Sequence, residues 1–455
     1  MEFYLGELSV NGCKNINQTL KFKFCNTTLK KDNNFRGTNV KAIYGPNGSG
    51  KSAIMTALYI YRRIIMDEDG LNDKYFSSLI HEVINKETNT MEIEITFLAY
   101  ILENHLPFVI RHYIQLRAEG NYVYISKEKI SELKGNSIRD DKFRELISVD
   151  KGNITYLFGV DDLNNNLIYK STLNLLNKHS VIVSYENVYN YENKDNNSIL
   201  NIESQCAIIM IKFFSFGLVI ELADEDRHRD YISRKIFIDN FTKLDSSAQS
   251  NNLKRILEQA TTEKYIFDVS VKTMDEVEKD EIESYEENIK QLSEFIKVFK
   301  PDFVGIEIDK KINQDTYYCK KIFVYKNYKI DIEFESTGIK KLVKMFSSLK
   351  ASANGRIVFI DEMDANLHDV YFTKLIEFFK EQSRGQLCFT THNLEPIEVL
   401  KDCSHSLDFV SNDSRLSSWV KSGNKSPMKK YVNGLIPYST FNVGSIDFEV
   451  LLDED

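Results

Sequence analysis

The chain has 455 residues, a length that exceeds one ordinary hydrophobic core and predicts two or three structural units. Hydrophobic residues make up 42% of the sequence and charged residues 27%, which is the composition of a globular protein. The net charge of -9 at pH 7 argues against a generally basic protein that coats DNA, although a local basic patch would not show in the sum.

Cysteine usage and the N-terminus bear on the cellular compartment. The 6 cysteines lie far apart and include no C-x-x-C pair, so they predict neither a zinc site nor a disulfide framework and favour a reducing cytoplasm. Met1–Tyr4 shows no basic and apolar leader, so we expect no signal peptide. The most apolar stretch, Cys206–Leu222, contains Lys212 and falls short of a comfortable membrane span. We therefore predict a buried helix there, and no membrane partner.

The most informative stretch matches the phosphate-binding loop pattern G-x-x-x-x-G-K-[ST] at every fixed position. Val40–Tyr44 before it is typical of a short buried strand, and Ala53–Met66 after it has apolar residues at helical spacing. The glycines let consecutive backbone N–H groups turn toward a polyphosphate, and the helix N-terminus adds its positive dipole end. Lys51 is expected to reach the β- and γ-phosphates, and the Ser52 hydroxyl to hold Mg²⁺. The residues predicted to bind the nucleotide here are Gly45, Pro46, Asn47, Gly48, Ser49, Gly50, Lys51 and Ser52.

The rest of the N-terminal part is predicted to consist mainly of strands. Residues 1–44 contain short apolar runs separated by polar loops, and from Met91 apolar residues alternate with polar ones at period two. Further strands around Val109–Leu116 and Tyr122–Ile125 indicate an antiparallel meander beside the nucleotide-binding core. We therefore assign residues 1–126 to the N-terminal part of an α/β domain.

Between residues 127 and 301 the pattern is mostly helical, which predicts an insertion. Its clearest helix is predicted over Met274–Phe299, where apolar residues step by three and four alternately, as in a heptad seam. The seam is roughly 27 Å long at 1.5 Å per residue, which suits a short coiled coil or a helical lid. Residues 302–455 return to the α/β domain, with several strands, a helix after Glu335 and the buried strand Ile357–Ile360.

A four-residue hydrophobic strand that ends in two acids is the partner that a phosphate-binding loop requires. After Ile357–Ile360 the chain continues with Asp361 and Glu362. Asp361 is expected to bind the Mg²⁺ held by Ser52, directly or through water. Glu362 is expected to take a proton from the water that attacks the γ-phosphate. The two acids therefore indicate hydrolysis of a nucleoside triphosphate.

With these motifs the sequence resembles the ABC-type ATPases of the RecF and SMC branch, and more closely the compact stand-alone members often called AAA family ATPases. Five pieces occur in the family's order. Gly45–Ser52 is similar to the Walker A loop and Ile357–Glu362 to the Walker B strand. The other three resemble the signature motif, the D-loop and the strand end with the switch histidine, and they are Glu335–Gly338, Asp364–His368 and Phe389–Asn393.

The resemblance implies a fold and an assembly. The fold is of class α/β: an ABC-type P-loop NTPase core with a mixed sheet flanked by helices, an antiparallel β subdomain and a mostly helical insertion. Two subunits would bind head to tail as a homodimer, or within a higher homo-oligomer, with ATP at their interface. Ser336 and Gly338 of one subunit would contact the γ-phosphate held by Lys51 of the other.

The same resemblance assigns two further residues to the site. Asp364 would contribute to nucleotide binding from the D-loop, and His392 would sense the γ-phosphate and act with Glu362 in catalysis. Two features depart from the family pattern. The signature has Thr337 where the family has a glycine. The Q-loop glutamine has no clear match, and Gln115, which lies in a strand-like run, is the candidate for it.

In this branch such ATPases commonly control a nuclease or toxin effector that is a separate protein, frequently in anti-phage defence. No clustered set of Asp, Glu and His in the sequence indicates a nuclease beyond the ATP site, so a separate effector is expected. We therefore predict a cytoplasmic, Mg²⁺-dependent ATPase that acts as a dimerising conformational switch for a partner effector. The alternative is a RecF-like, DNA-binding ATPase of DNA repair, which leaves nucleic acid open as a partner.

Overall fold

The computed structural model describes most of the chain in eight segments separated by short and long gaps. The gaps include one residue of the predicted D-loop, Asn366, and the C-terminal part of the predicted third domain. The described segments are residues 2–31, 38–101, 105–185, 200–222, 274–313, 315–365, 367–420 and 426–436.

Strands dominate the N-terminal part of the described chain, and helices and short strands alternate in the C-terminal part. The strands are β1 (Glu2–Asn11), β2 (Leu20–Lys23), β3 (Val40–Tyr44), β4 (Thr90–Tyr100), β5 (Phe108–Glu119), β6 (Tyr122–Leu133), β7 (Phe143–Asp150), β8 (Asn153–Leu157), β9 (Leu218–Glu221), β10 (Met274–Glu278), β11 (Phe303–Asn313), β12 (Thr316–Tyr325), β13 (Lys329–Asp331), β14 (Ile357–Ile360), β15 (Gln386–Thr390), β16 (Leu407–Val410) and β17 (Leu416–Ser418). The helices are α1 (Lys51–Met66), α2 (Lys74–Val83), α3 (Leu167–Ser171), α4 (Ile202–Gly217), α5 (Ile282–Phe299), α6 (Thr337–Ala353), α7 (Asp369–Gln382), α8 (Glu395–Leu400) and α9 (Pro427–Val432).

The central sheet carries the phosphate-binding loop. Among the described residues its strand order is β17-β16-β3-β15-β14-β9, and neighbouring strands are parallel except for β16 with β17. β3 lies inside the sheet and is buried along its whole length, as its apolar sequence predicts. Its one charged residue, Lys41, forms a buried ion pair with Asp408 on β16. Because parallel strands end at the same edge, the residues that follow β3, β14 and β15 meet there.

An antiparallel sheet covers one face of this core. In the described chain its order is β2-β1-β4-β5-β6-β7-β8. Met91, Ile93 and Ile95 of β4 are buried and alternate with half-buried residues, which is the predicted period of two. They share one hydrophobic core with α1 and with Ile357 and Phe359 of β14. α1 is therefore enclosed between the two sheets, and almost all of its residues are buried.

Two helices cover the opposite face of the central sheet. The N-cap of α6 is Ser336, whose hydroxyl accepts a hydrogen bond from the N–H of Ile339 at 3.4 Å. Leu342 of α6 and Phe372 of α7 belong to one hydrophobic core with Val358 of β14. The α/β core with a mixed sheet, flanking helices and an antiparallel β subdomain is thus confirmed.

A small antiparallel sheet lies beside α5, where the sequence predicted a short coiled coil or a helical lid. The order of its described strands is β10-β12-β11, and β13 also pairs with β12. Ile289, Leu292 and Ile296 of α5, which form the heptad-like seam, are buried in the same core as this sheet and α6. The seam is therefore a core-facing stripe of a single helix. Met274–Glu278, expected at the start of that helix, instead pairs with the edge of β12 as β10.

The segment between residues 127 and 301, expected to be mostly helical, contains strands as well. β6 runs across the expected boundary at residue 126, and β7 and β8 extend the antiparallel sheet to Leu157. Ile147 and Val149 of β7 are buried. The buried run of β7 is continuous over Leu146–Val149 and does not alternate, and periodicity alone does not distinguish such a run from a buried helix.

The most apolar stretch is a helix followed by a strand. α4 ends at Gly217, and β9 then extends the central sheet beside β14. Only the first part of the helix predicted over Cys206–Leu222 is therefore helical. Among the described residues, no helix is long and apolar enough to span a bilayer.

Candidate active site

The phosphate-binding loop connects β3 to α1 at the carboxyl edge of the central sheet. Gly48 and Gly50 have φ angles of 78° and 101°, in the left-handed region that favours glycine. A Cβ atom at Gly45 would lie 2.5 Å from the carbonyl oxygen of Val410, so the close approach of β16 requires glycine there as well. Backbone geometry therefore fixes three glycines of the loop.

Lys51 is the first residue of α1, and its ammonium group turns back over the loop. It donates hydrogen bonds to the carbonyl oxygens of Gly45 at 2.7 Å and Pro46 at 3.0 Å. The side chain of Ser52 is exposed in the first turn of α1, at the helix end where backbone N–H groups are free of intrahelical partners. Asn47 is exposed in the same loop. Cation, hydroxyl and helix N-terminus thus lie together at one end of α1.

Three carboxylates act on the Lys51 ammonium. Burial lowers the pKa of Lys51, and the charges of Asp361, Glu362 and Asp364 oppose this by raising it. The structure thus brings acids from the predicted Walker B and D-loop segments to the lysine of the phosphate-binding loop. These residues come from opposite halves of the sequence, and the parallel order of β3, β15 and β14 places them at one edge.

Thr390, the last residue of β15, organises the two acids that follow β14. Its hydroxyl donates a hydrogen bond to the Asp361 carboxylate and accepts one from the N–H of Glu362 at 2.7 Å. Asp361 is buried, whereas Glu362 is exposed. Glu362 also has a φ angle of 47°, which is rare for a residue with a side chain. Thr390 therefore holds Glu362 in a strained backbone conformation with its carboxylate toward solvent.

The predicted signature residues lie at the exposed start of α6. Ser336 is exposed and Gly338 is half-buried. Among the described residues, no hydrogen bond joins either of them to the phosphate-binding loop. Within the described chain, therefore, no hydrogen bond connects the signature residues with Lys51. An exposed helix N-terminus is an arrangement that can bind an anion presented by another molecule.

The D-loop and the histidine continue the same sheet edge. The N–H of His392 donates a hydrogen bond to the Asp364 carboxylate at 3.4 Å, and the His392 side chain is exposed. The N–H of Thr391 donates to the carbonyl oxygen of Ile43 on β3 at 3.3 Å. Asp364 and His392 are thus brought to the acids and the loop. His368, the last residue of the predicted D-loop, is the N-cap of α7.

Sequence patterns missed three residues that support this site. Thr390 holds both acids, and the amide of Asn15 donates a hydrogen bond to the carbonyl oxygen of Gly48 in the loop. Glu221 ends β9 next to Asp361, whose N–H donates to the Glu221 carbonyl oxygen at 2.9 Å. The buried Glu221 carboxylate accepts a hydrogen bond from Ser348 of α6. Gly217 was the available signal for β9, because a glycine often ends a helix.

Gln115, the candidate for the Q-loop glutamine, lies elsewhere. It belongs to β5 of the antiparallel sheet, where its amide donates to the Glu92 carboxylate at 2.7 Å. Its amide oxygen accepts a hydrogen bond from the Ser126 hydroxyl at 2.8 Å. The side chain is therefore used inside that sheet. The residue at the strand end beside Asp361 is Glu221, so a glutamate and not Gln115 lies there.

The residues present fit ATP with Mg²⁺. The Ser49 hydroxyl is fully buried in the loop and forms no hydrogen bond within the described chain, so a phosphate oxygen would satisfy it. Mg²⁺ in nucleotide sites commonly takes one or two protein oxygens and completes its shell with phosphates and waters. The Ser52 hydroxyl and the Asp361 carboxylate supply two such oxygens at the sheet edge.

Comparison with known families agrees with this geometry. A family model described as "AAA domain, putative AbiEii toxin, Type IV TA system" matches residues 41–397. The chain belongs to this family. The match begins in β3 and ends in α8, so it includes the phosphate-binding loop, both acids after β14, the start of α6 and His392. This AAA family protein is therefore an ATPase of the P-loop class, as the sequence resemblance predicted.

Solved structures with a related fold are heads of Smc proteins. The protein in "Crystal structure of the SmcHead bound to the C-winged helix domain of ScpA" is 16% identical in sequence to this chain, with a TM-score of 0.43. The match covers 91% of this chain and 98% of that chain. The Smc head with a coiled coil and joint from Pyrococcus yayanosii is 16% identical, with a TM-score of 0.40, over 92% and 97%. The SMC head domain from Thermotoga maritima is 13% identical, with a TM-score of 0.30, over 92% and 100%. No curated protein matches the sequence. The likeness to these heads is weak, and no residue role is taken from it.

Proposed function

We propose that this AAA family protein hydrolyses ATP with Mg²⁺ and uses the nucleotide to switch between separate subunits and a head-to-tail dimer that controls a partner effector. The observation that carries the proposal is the arrangement of Glu362. Its carboxylate is exposed at the sheet edge that holds Lys51 and Asp361, while Thr390 holds its backbone in a strained conformation. Strain of this kind is typical of residues that orient a reacting group.

Each residue of the site has one part in the proposed reaction. Lys51 and the backbone N–H groups of the loop bind and neutralise the β- and γ-phosphates. Ser52 and Asp361 would hold Mg²⁺, which would help to neutralise the charge on the phosphates. Glu362 accepts the proton of the water that attacks the γ-phosphate. His392, whose backbone is held by Asp364, senses that phosphate.

The exposed start of α6 supports a dimer. Ser336 is exposed, and neither it nor Gly338 forms a hydrogen bond with the phosphate-binding loop within the described chain, which is consistent with service to the nucleotide of a second subunit. Two large apolar side chains beside the site are exposed, Phe334 at 74% just before the signature and Val370 at 60% just after the D-loop. Apolar side chains of this kind are covered when subunits associate.

Replacement of the proposed general base tests hydrolysis and assembly together. Glu362→Gln should slow ATP turnover by roughly 10²–10⁴-fold, because the attacking water loses its base. The variant should still bind ATP and should accumulate as a dimer with ATP and Mg²⁺, measured by light scattering after size exclusion. Glu381→Gln, which changes an exposed carboxylate on α7, is the matched control and should behave as wild type.

Unchanged turnover in Glu362→Gln would remove the assignment of the base. Slow turnover with no dimer at any protein concentration would leave the ATPase and contradict the switch. The two measurements therefore separate the chemistry from the assembly.

The separate effector and the role in anti-phage defence extend the proposal beyond the ATPase itself. The description of the family as a putative toxin of a type IV toxin–antitoxin system supports a toxin–antitoxin context for them. A second protein should co-purify in stoichiometric amount with Glu362→Gln in ATP and Mg²⁺, and should be lost with Lys51→Ala, which cannot hold the nucleotide. Equal recovery with both variants would contradict control by ATP. A defence role further requires that phage resistance conferred by the pair be abolished by Lys51→Ala.

A further inference from the structure

A cleft of about 780 Å³ lies between the edges of the two large sheets. One wall is β2, the outer strand of the antiparallel sheet in the described chain. The other wall is formed by β17 and by the turn that follows α8. The phosphate-binding loop and the acids after β14 are not among its described lining residues, so the cleft is separate from the active site.

Four cations line this cleft. Lys21 and Lys23 alternate with buried residues on β2, so they project from the same face, about 6.7 Å apart along the strand. Lys401 and Arg415 line the opposite wall, where Asp402 is the acidic residue. The described lining thus has four cations and one carboxylate, and three of the cations also pair with carboxylates outside the lining.

The cations can exchange their present partners for a ligand. Among the described residues Lys23 forms no ion pair. The other three each have a carboxylate at 3.0 Å, in the pairs Lys21–Glu7, Lys401–Glu398 and Arg415–Asp413. The pairs Lys401–Glu398 and Arg415–Asp413 are exposed on both partners, so they contribute little to stability and a phosphate group can compete for the cation. In the pair Lys21–Glu7 the carboxylate is buried, and only the lysine side chain, at 38% exposure, is open to a phosphate.

An aromatic side chain completes the lining. Trp419, the single tryptophan of the sequence, is half-buried in the lining of the cleft, and the Lys430 ammonium lies over its ring, 5.0 Å from the centroid. Its indole N–H donates a hydrogen bond to the Lys401 carbonyl oxygen at 3.1 Å, which fixes the orientation of the ring. A groove with a row of cations and an oriented aromatic ring is the combination that binds single-stranded nucleic acid, through phosphates and base stacking.

We propose that this cleft binds single-stranded nucleic acid. Lys21 and Lys23 contact successive phosphates along β2, Lys401 and Arg415 contact the strand from the other wall, and a base stacks on Trp419. A cleft of about 780 Å³ has room for a few nucleotides of one strand. The inference does not depend on dimerisation or on control of an effector.

The cleft is also linked to the phosphate-binding loop. Ser414 lines the cleft, and its hydroxyl donates a hydrogen bond to the Asn15 carbonyl oxygen at 3.0 Å. The side-chain amide of Asn15 donates in turn to the carbonyl oxygen of Gly48. A strand in the cleft therefore lies two hydrogen bonds away from the loop that holds the nucleotide.

Binding of a fluorescein-labelled 20-nucleotide oligo-dT to the full chain, measured by anisotropy without ATP, tests the proposal. With four phosphates contacted, the affinity should fall roughly 50-fold between 50 and 200 mM salt. Lys21→Glu with Lys23→Glu should weaken binding at least tenfold at 50 mM salt and reduce the salt slope by about 1.4. The matched control is Lys127→Glu with Lys129→Glu, exposed lysines at the same spacing on β6 of the same sheet, which should bind as wild type.

Fluorescence of Trp419 gives a second measurement on the unaltered protein, which does not require the variants to fold. Oligo-dT should quench the emission, with the same salt dependence as the anisotropy, and a duplex of equal length should quench it far less. Absence of oligo-dT binding at 50 mM salt, or equal binding by both double variants, would overturn the proposal. Quenching by polyglutamate without quenching by oligo-dT would also overturn it and would assign the cleft to an acidic peptide.

Discussion

At the scale of single residues, one hydroxyl group connects the two acids on which the proposed chemistry depends. Thr390 is fully buried, and its hydroxyl both donates to Asp361 and accepts from the backbone of Glu362. The first contact orients the carboxylate expected to hold Mg²⁺. The second stabilises the left-handed conformation that turns the Glu362 side chain to solvent. Placement of the metal ligand and of the base therefore depends on the same atom.

Thr390→Val should test this dependence, because valine keeps the shape of the side chain and removes the hydroxyl. We expect the turnover number to fall roughly tenfold to hundredfold, as for a misplacement of about 1 Å, with a smaller change in KM for ATP. The loss of two hydrogen bonds should also lower the free energy of unfolding by about 1–3 kcal/mol. Thr390→Ser, which keeps the hydroxyl, is the control and should retain most of the activity. Wild-type turnover in Thr390→Val would show that Glu362 holds its position without this contact.

The sequence predicted the loop and the two acids because each chemical role there requires a fixed residue type at a fixed spacing. Lys51, Ser52, Asp361 and Glu362 are recognisable for that reason. Thr390 is not recognisable, because its role follows from the pairing of β14 with β15, which no local pattern encodes. The cations of the cleft were missed for a related reason, since Lys21 and Arg415 come from opposite ends of the chain.

At the scale of elements, α4 carries a charge in an apolar setting. Lys212 lies on this helix, is 7% exposed, and its neighbours in the sequence include Ile211 and Phe213, which are buried in the core. Burial lowers the pKa of Lys212 to about 8, and the charge of Glu68 opposes the shift. The unfolded chain keeps the ordinary lysine pKa near 10.4. Below pH 8 the ammonium is therefore charged in both states, and the folded state bears the cost of burying it.

Lys212→Met should raise stability at neutral pH, since it removes that cost. The shift corresponds to roughly 3 kcal/mol at pH 7 by linkage. Between pH 8 and 10.4 the folded protein loses the proton while the unfolded chain keeps it, so wild-type stability rises with pH and the advantage of methionine shrinks. The increase in Tm should therefore be larger at pH 7 than at pH 9.5. Lys170→Met on the exposed side of α3 should shift Tm little at either pH, and an equal gain for Lys212→Met at both would contradict the lowered pKa.

The prediction was best for elements whose own sequence and whose packing partners favour the same secondary structure. β3 and β14 are continuous apolar runs with a sharp change of composition at each end, and the structure has both. β9 was included in a helix, because four apolar residues after an apolar helix carry no period of their own. β10 was also predicted as helix, since Met274–Glu278 becomes a strand only by pairing with β12.

At the scale of the whole molecule, the proposed reaction uses two groups of residues that no hydrogen bond joins directly within the described chain. Lys51 and Glu362 lie at the carboxyl edge of the central sheet, whereas Ser336 lies at the exposed start of α6. In the proposal, a single subunit binds its nucleotide at the sheet edge and carries the signature residues at the start of α6. A complete site would then form only when two chains meet.

Mixing two inactive variants tests that geometry. Lys51→Ala cannot hold its own nucleotide, and Ser336→Arg cannot serve the nucleotide of its partner, so each alone should be inactive. Random pairing makes half of the dimers mixed, and one of the two sites in each mixed dimer is intact, so up to about a quarter of the wild-type turnover should return. Mixing Ser336→Arg with itself, or Lys51→Ala with the chain that carries both substitutions, should restore none. No recovery in the mixture would contradict a shared site.

α6 also joins the signature to the acids of its own chain. Ser336 begins the helix, the ammonium of Lys341 one turn later donates to the Asp361 carbonyl oxygen at 3.3 Å, and Ser348 donates to Glu221. In the proposed dimer, the helix that contacts one ATP therefore contacts the metal-binding strand that serves the other. Occupation of one site would then alter the affinity of its twin. The activity of such a protein would depend on ATP concentration with a threshold. It would stay inactive with one nucleotide bound and would rise steeply once the second site is filled.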